Sequence, residues 1–212
     1  MPDPAAPSVD IIVLNWNRWS MTDRALAAVE QLQYPNFRTV LVDNGSTDDS
    51  IAQLRARHPG VSIVSLDRNV GFAGGMNAGI RRALDGTTDY VWLLNNDTEA
   101  MPGALAAMVE VAEADPGVGA VGSVLMPLDS KTRPVHGGGA VDRWIGLSRH
   151  HRKRVPDAKL DYIVGASMLL RCDALRAVGL LNEAFFLYWE DVDLSFRLKS
   201  HGWKLAVAGN AI

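Results

Sequence analysis

The chain has 212 residues, a hydrophobic fraction of 48% and a formal net charge of −3. This length supports one sizeable α/β domain, and the weakly acidic balance excludes a general electrostatic attraction to nucleic acid. Cys172 is the only cysteine, which excludes an internal disulfide and favours a reducing, cytoplasmic setting, and no apolar stretch approaches the ~20 residues of a membrane span.

Four short apolar segments in the first half predict buried strands, with amphipathic segments between them. None shows the alternation of polar and apolar residues that is typical of a half-exposed strand. We predict strands at 9–15, 38–44, 61–67 and 89–95 and helices at 20–33, 50–58, 73–84 and 102–114. This alternation predicts an α/β fold with a mostly parallel central sheet and helices on both sides.

The second half is less regular. The pattern predicts strands at 117–126 and 161–171, helices at 172–179 and 191–201, and a polar, Gly-rich and basic mobile loop at 128–160. The last residues, WKLAVAGNAI, read as a strand without a polar tail. We therefore expect the natural protein to continue beyond Ile212.

Polar residues follow all four strands of the first half. Ligands of open α/β sheets bind beyond the carboxyl ends of the strands. A turn or a helix cap explains any one of these residues, but four such ends at one edge favour a polar ligand site. The residues are Asn15 and Asn17 after the first strand, Asp43 and Asn44 after the second, Asn69, Gly71 and Asn77 after the third, and Asn95, Asn96 and Asp97 after the fourth.

Two of these segments suggest a phosphate-bearing ligand. The segment GFAGG (71–75) is neither a dinucleotide nor a Walker motif, but its glycines allow close backbone approach and the helix that follows favours a phosphate or ribose. In NND (95–97), Asp97 suits Mg²⁺, which binds one or two carboxylates together with substrate phosphates. The alternative is that Asp97 or Thr98 caps the next helix.

The segment FFLYWEDVDLSFRLKSHGW (185–203) places Glu190, Asp191 and Asp193 directly after an apolar run. It is either an acidic helix start or a general base held beside a pocket. Burial would raise the pKa of such a carboxylate, whereas a helix N-terminus would lower it. Spacing does not separate the three carboxylates, although Asp193 is placed to pair with Arg197 four residues on.

Taken in order, VDNGSTDDS, NVGFAGGMNAG, LLNNDTE, GASMLLR and the segment at 185–203 resemble family 2 of the glycosyltransferases, in particular its rhamnosyltransferase-like branch of bacterial polysaccharide synthesis. The resemblance covers 9–208. It implies a GT-A fold in one domain (1–212), with a nucleotide-binding half at 9–99 and an acceptor half at 100–212. It also implies inverting transfer of a sugar such as rhamnose from a UDP- or dTDP-sugar to a saccharide or polyprenyl-linked acceptor.

The resemblance assigns the donor site. Asp43 matches the aspartate that reads the pyrimidine base, and Asn95 stands in place of the first aspartate of a DXD-type motif. Asp97 is then the only carboxylate of that motif that could hold Mg²⁺ or Mn²⁺. The donor set implied is Asn15, Asn17, Asp43, Asn44, Asn69, Gly71, Asn77, Asn95, Asn96 and Asp97.

The resemblance also assigns the catalytic and acceptor residues. Asp191 matches the catalytic base, with Glu190 beside it, and Gly165, Trp189 and Glu190 are expected to face the acceptor. A histidine that completes the metal site in several members would follow Ile212.

Two alternatives remain open. A nucleotidyltransferase would need a basic Gly-rich loop near the N-terminus, which VLNWNRWS does not supply. A non-catalytic nucleotide-binding module of the same fold is favoured by Asn95 and opposed by the intact WED.

The basic run RHHRKR (149–154) follows Trp144 and Ile145. It is typical of a solvated loop, and the alternative is peripheral contact with an anionic membrane surface or a lipid-diphosphate acceptor.

Overall fold

The computed structural model describes residues 6–127 and 134–212. The first half alternates strands and helices, as predicted. Its elements are β1 (Val9–Asn15), α1 (Trp19–Val29), β2 (Phe37–Asp43), α2 (Ser50–Arg57), β3 (Ser62–Ser65), α3 (Gly71–Leu84), β4 (Tyr90–Asn95) and α4 (Ala104–Ala114).

The second half adds seven strands before the last two helices. Its elements are β5 (Val118–Gly122), β6 (Val124–Leu125), β7 (Val135–His136), β8 (Gly138–Asp142), β9 (Leu147–His150), a 3₁₀ turn (Asp157–Lys159), β10 (Tyr162–Ile163), β11 (Ser167–Arg171), α5 (Cys172–Val178), α6 (Glu190–Ser200) and β12 (Lys204–Val207).

Seven strands form the central sheet in the order β12-β5-β11-β4-β1-β2-β3. All neighbours pair in parallel except β11, which runs antiparallel to both β4 and β5. Asn15 at the end of β1 pairs with Asp43 of β2, and Leu14 pairs with Asn95 of β4. The polar ends of these strands therefore meet at one edge, which confirms the predicted mostly parallel α/β sheet.

The core has two layers because both faces of the sheet are covered. Odd residues of β1 such as Ile11 pack with α1 and α4 on one face, whereas Ile12 packs with α3, α5 and α6 on the other. Burial on both faces explains why these strands lack polar alternation. β3 lies at the sheet edge and is only partly buried, unlike the buried strand predicted there.

The segment predicted as a mobile loop at 128–160 contains regular elements that the pattern did not predict. Residues 128–133 lie outside the described residues, but 134–160 contain β7, β8, β9 and the 3₁₀ turn. β8 pairs antiparallel with both β9 and β10 in a separate three-stranded sheet. The pattern missed β9 because its four residues are all exposed, so no apolar alternation marks the strand.

Three other predicted bounds differ from the structure. The strand at 117–126 is interrupted at Ser123, and the strand at 161–171 is interrupted at 164–166. The last strand ends at Val207, before the end of the chain. Within the described ranges, no helix has the length and apolarity needed to cross a bilayer.

Candidate active site

Asn15 and Asp43 join the ends of β1 and β2 below the surface. Asn15 is fully buried, and its amide nitrogen donates to Asp43 Oδ1 and to Ser46 Oγ, both at 3.1 Å. Asp43 is 3% exposed and also accepts from the hydroxyl and the backbone N–H of Ser46. Ser46 Oγ in turn accepts from the backbone N–H of Asn17. These groups therefore fix the loops after both strands from beneath.

Thr22, which the sequence analysis missed, links this cluster to the NND segment. Its hydroxyl lies on α1, is buried, donates to Asn15 Oδ1 at 2.7 Å and accepts from Asn96 Nδ2 at 3.0 Å. A threonine within an amphipathic helix gives no sequence signal for this role, because its two partners come from β1 and from the end of β4.

Asn44 organises the loop after β3. Its amide nitrogen donates to Asn69 Oδ1 and to the carbonyl of Gly71, and its own oxygen accepts from the backbone N–H of Val70. Asn44 is 3% exposed. Its amide is therefore committed largely to holding the loop that leads into α3.

The glycines of 71–75 are packed closely against the chain itself, and Gly71 also lines the cavity described below. Gly71 has φ +83°, and a Cβ there would lie 2.5 Å from the carbonyl oxygen of Phe186. That same oxygen accepts from the N–H of Phe72 at 2.7 Å. A Cβ at Gly75 would lie 2.5 Å from Leu14 Cδ1. The start of α3 is thus partly covered by the segment around Phe186.

Asn77 lies apart from the other predicted donor residues. It is 1% exposed, it donates to the carbonyl of Leu181 and to Glu183 Oε1, and it accepts from the N–H of Leu181. Its hydrogen bonds therefore join α3 to the segment before α6.

Two cavities meet at Asn95 and Asp97. The first, called the strand-end cavity here, has a volume of about 270 Å³, and the second, the apolar cavity, has about 470 Å³. The strand-end cavity is walled by Trp16, Arg18, Asn69, Phe72, Asn96 and Phe186. The apolar cavity is walled by Met101, Ala104, Val124, Met126, Ala166 and Ile212.

The boundary between the cavities fits a cation that is shared with a diphosphate. Asp97 is exposed, and α4 begins at Ala104 after Gly103, so Asp97 does not cap that helix. The buried side-chain oxygen of Asn95 accepts no hydrogen bond among the described residues. Mg²⁺ can bind through one carboxylate when phosphates supply further oxygens. In the described ranges no group of three His, Cys, Asp or Glu side chains forms a metal site, so the phosphates would be needed.

Asp191 is held at the start of α6. Its Oδ2 accepts from the N–H of Gly165 at 2.9 Å, and its Oδ1 accepts from the N–H of Val192 at 2.8 Å. Gly165 permits this contact, because a Cβ there would lie 3.3 Å from Asp191 Cβ. Trp189 precedes the helix with φ +72°, a conformation that costs a non-glycine residue on the order of 1–2 kcal/mol.

Burial shifts the pKa of Asp191 and of Glu190 in the same direction. Burial raises the pKa of Asp191 above its ordinary value, although backbone N–H donors, including that of Gly165, and the nearby His150 lower it. Burial likewise raises the pKa of Glu190 to about 7. Glu190 is 5% exposed, and its Oε2 has no hydrogen-bond partner among the described residues. Desolvation by burial is therefore the largest cause of the raised pKa of both carboxylates. The predicted pair of Asp193 with Arg197 is present at 2.8 Å.

A short backbone bridge joins Asp191 to the two cavities. Gly165 donates to Asp191, and the carbonyl of the next residue, Ala166, accepts from the N–H of Asn95 at 2.9 Å. Two hydrogen bonds and the two residues Gly165 and Ala166 between them place Asp191 on the order of 10 Å from Asn95. Asp191 is thus connected through Ala166 to the wall of the apolar cavity.

Comparison with known proteins adds a family and a set of relatives. The family model described as Glycosyl transferase family 2 matches residues 10–179. An N-acetylglucosaminyl-diphospho-decaprenol L-rhamnosyltransferase from Mycobacterium tuberculosis is 27% identical over 217 positions, which cover 91% of this chain and 71% of the relative. The galactofuranosyltransferase GlfT1 of the same species is 24% identical over 207 positions, which cover 95% of this chain and 62% of that protein.

Solved structures share the fold at low sequence identity. A mannosyltransferase from Pyrobaculum calidifontis, solved with GDP-Man and Mn²⁺, has a TM-score of 0.73 and 21% identity over 99% of this chain and 57% of its own. GalNAc-T7, solved with UDP, GalNAc and Mn²⁺, has a TM-score of 0.78 and 14% identity over 97% of this chain and 43% of its own. These likenesses confirm the predicted GT-A fold.

Proposed function

The chain belongs to glycosyl transferase family 2, and we propose that it is an inverting transferase that moves a sugar from a UDP- or dTDP-sugar to a saccharide carried on a polyprenyl diphosphate. The glycosyl transfer itself follows from the family and the relatives. The donor nucleotide, the inversion and the acceptor are the parts that we propose. The rhamnosyltransferase among the relatives supports rhamnose as the sugar and a lipid-linked acceptor.

The strand-end cavity is the proposed donor site. Trp16 and Phe186 offer apolar surface for a base or ribose, and Asn69 and Asn96 offer amides. Arg18, which the sequence analysis did not single out, is the basic residue in this wall and suits a phosphate. Asp43 is 3% exposed and fixes the loops after β1 and β2, and its contact with the base stays part of the proposal.

Asp97 and Asn95 are the proposed groups for Mg²⁺ or Mn²⁺, with donor phosphates completing the coordination. The Mn²⁺ bound in the two solved transferases supports this assignment. A bound divalent cation neutralises charge that develops on the leaving diphosphate.

Asp191 is the proposed general base. Inverting transfer is one displacement, in which the acceptor hydroxyl attacks the anomeric carbon as the bond to the diphosphate breaks, and a carboxylate takes the hydroxyl proton. The raised pKa of Asp191 makes it a stronger proton acceptor, and the bond from Gly165 holds one of its oxygens in place.

The acceptor is proposed to lie between Trp189 and the apolar cavity. Trp189 is 38% exposed directly before Glu190 and Asp191, which suits stacking on a sugar face. Glu190, with a pKa of about 7, is in part protonated near neutrality and can then donate a hydrogen bond to an acceptor oxygen.

One observation carries this proposal. The Gly165–Ala166 bridge joins the base candidate Asp191 to Asn95, at the wall that both cavities share. A proton acceptor on one side and a diphosphate site on the other are the two parts that an in-line displacement needs.

Calorimetric titration of UDP, dTDP, GDP and ADP, with and without Mn²⁺, tests the donor site. We expect one pyrimidine diphosphate to bind in a metal-dependent manner and to lose at least tenfold in affinity in Asp97→Asn. Asp85→Asn, an exposed aspartate beyond the end of α3, is the matched control and should bind as wild type does. Metal-independent binding, or equal binding by Asp97→Asn, would overturn the assignment of Asp97.

A further inference from the structure

The β8–β9 hairpin has an ordered tip at residues 142–147. The N–H of Gly146, which has φ +65°, donates to the carbonyl of Asp142 at 2.9 Å. The Asp142 carboxylate accepts from the N–H of Trp144 at 3.0 Å. These bonds close the turn between Asp142 and Leu147, which pair across the two strands. The side chains of the turn are therefore presented by a defined backbone.

The tip presents large apolar side chains directly to solvent. Trp144 is 98% exposed, Ile145 is 61% exposed and Leu147 is 51% exposed. Turns in water favour Gly, Asn, Asp and Ser at such positions. Trp16 and Phe186 are exposed as well, but they line the strand-end cavity, so the proposed donor site accounts for their exposure. Trp144 makes almost no contact within the chain. Its exposed apolar surface therefore indicates a binding partner outside the chain.

The charge of the same segment indicates what that partner is. Residues 143–154 contain five Arg or Lys and two His with no Asp or Glu, whereas the whole chain has a net charge of −3. A tryptophan beside a basic cluster is the composition of an interfacial membrane contact, in which the aromatic ring sits at headgroup level. The basic residues lie beside an apolar tip that projects from the surface. A bilayer with anionic headgroups offers both an apolar layer and negative charge, so we favour it over a groove in an acidic or neutral protein.

The hairpin also has a fixed relation to the catalytic carboxylate. His150 lies on β9, its ring contacts Tyr162 of β10, and it is close enough to Asp191 to lower that pKa. Because side chains alternate along a strand, Leu147 and Arg149 point to the face opposite His150. One face of the hairpin thus adjoins the active site, and the other is free to meet a surface.

We propose that the hairpin tip inserts Trp144 and Ile145 into the interface of an anionic lipid bilayer, with the basic residues of 149–154 on the lipid headgroups. This inference rests on the proposed function, since it would hold Asp191 near acceptors that a lipid diphosphate anchors in the same surface. From Trp144 to His150 the hairpin spans on the order of 15 Å. That distance leaves room for a diphosphate and a first sugar between the headgroups and the base.

Co-sedimentation of the 212-residue chain with vesicles tests this surface. We expect partitioning onto phosphatidylcholine–phosphatidylglycerol vesicles, weakening as salt is raised, and little partitioning onto phosphatidylcholine alone. The variant Trp144→Ser/Ile145→Ser should lower the partition coefficient roughly tenfold or more. Neutralising residues 152–154 to Gln should lower it on the order of 100-fold.

A matched charge control uses three exposed arginines outside the hairpin. The variant Arg55→Gln/Arg82→Gln/Arg176→Gln removes the same charge and should lower partitioning far less. Equal partitioning onto neutral and anionic vesicles, an equal loss in this control, or unchanged partitioning in the serine variant would overturn the proposal. Self-association in light scattering that the serine variant abolishes would also overturn it, because a second copy would then cover the tip.

Nucleoside diphosphate titration of the serine variant separates this proposal from the proposed function. Binding by the variant equal to that of wild type, together with lost vesicle binding, supports the membrane contact alone. If wild type binds vesicles but binds no nucleotide, the membrane contact is supported. The proposed transferase site, which gives the contact its function, is then wrong.

Discussion

Replacing Glu190 with Gln should make the protein more stable at alkaline pH and change little at acid pH. Burial raises the pKa of Glu190 from 4.5 to about 7, and the side chain is 5% exposed. At 1.36 kcal/mol per unit this rise corresponds to about 3 kcal/mol between the two states of the carboxyl group. This value is the ceiling of the pH-dependent effect.

The direction follows from where the proton resides. Between about pH 4.5 and pH 7 the native Glu190 keeps a proton that the unfolded chain has released, so the stability it contributes at low pH is lost as pH rises through about 7. Gln carries no charge at either pH. The difference in unfolding free energy between Glu190→Gln and wild type should therefore rise by about 1–3 kcal/mol from about pH 5 to about pH 8.

Urea unfolding at both pH values measures this difference. The Gln amide nitrogen has no partner at the position of Oε2 and lowers stability, but this cost is the same at both pH values and cancels in the comparison. Glu183→Gln is the control, because hydrogen bonds from Asn77 and Arg81 lower the pKa of Glu183, so its pH-dependent contribution lies below about pH 4.5 and its difference from wild type should not change between pH 5 and pH 8. A difference for Glu190→Gln that does not change with pH would refute the argument that burial raises this pKa.

Three further substitutions test the scaffold of the site. Thr22→Val removes the buried hydrogen bonds between α1 and the strand ends. It should lower the free energy of unfolding by about 1–3 kcal/mol and weaken donor binding. Unchanged donor affinity would show that donor binding does not need these hydrogen bonds. Gly165→Ala places a Cβ 3.3 Å from Asp191 Cβ and should lower turnover with donor affinity retained, and equal turnover would contradict this. Gly71→Ala, at φ +83°, should destabilise by at least 1 kcal/mol in thermal unfolding. Gly60→Ala, which meets nothing within 4 Å, should not, and equal effects of the two would remove the strain argument.

The sequence was sufficient for the sheet and for the edge where the site lies. Continuous apolar runs such as 9–15 and 89–95 are buried on both faces, which is why their pattern identified parallel strands correctly. The residues after those strands could be placed at one edge because parallel strands end together. The acidic start of α6 after an apolar run is visible as a local pattern, whereas the choice of Asp191 among its carboxylates comes from the family resemblance.

The remaining features depend on contacts between distant segments. Thr22 acquires its role from Asn15 and Asn96, and Gly71 from the backbone of Phe186 more than a hundred residues away. No local periodicity encodes such partners. The β8–β9 hairpin was missed because exposed strands carry little apolar alternation, and Asn77 was assigned to a ligand although its amide serves the chain itself.

The most direct test of the account is the rate of sugar transfer by Asp191→Asn, measured with the donor that binds wild type. Asn keeps the shape of the side chain and can still accept from Gly165, but it cannot take a proton. We predict that kcat falls by roughly 100-fold or more while donor affinity stays within a few-fold of wild type. Transfer by Asp191→Asn at a near-normal rate, with donor binding intact, would contradict the assignment of Asp191 as the base.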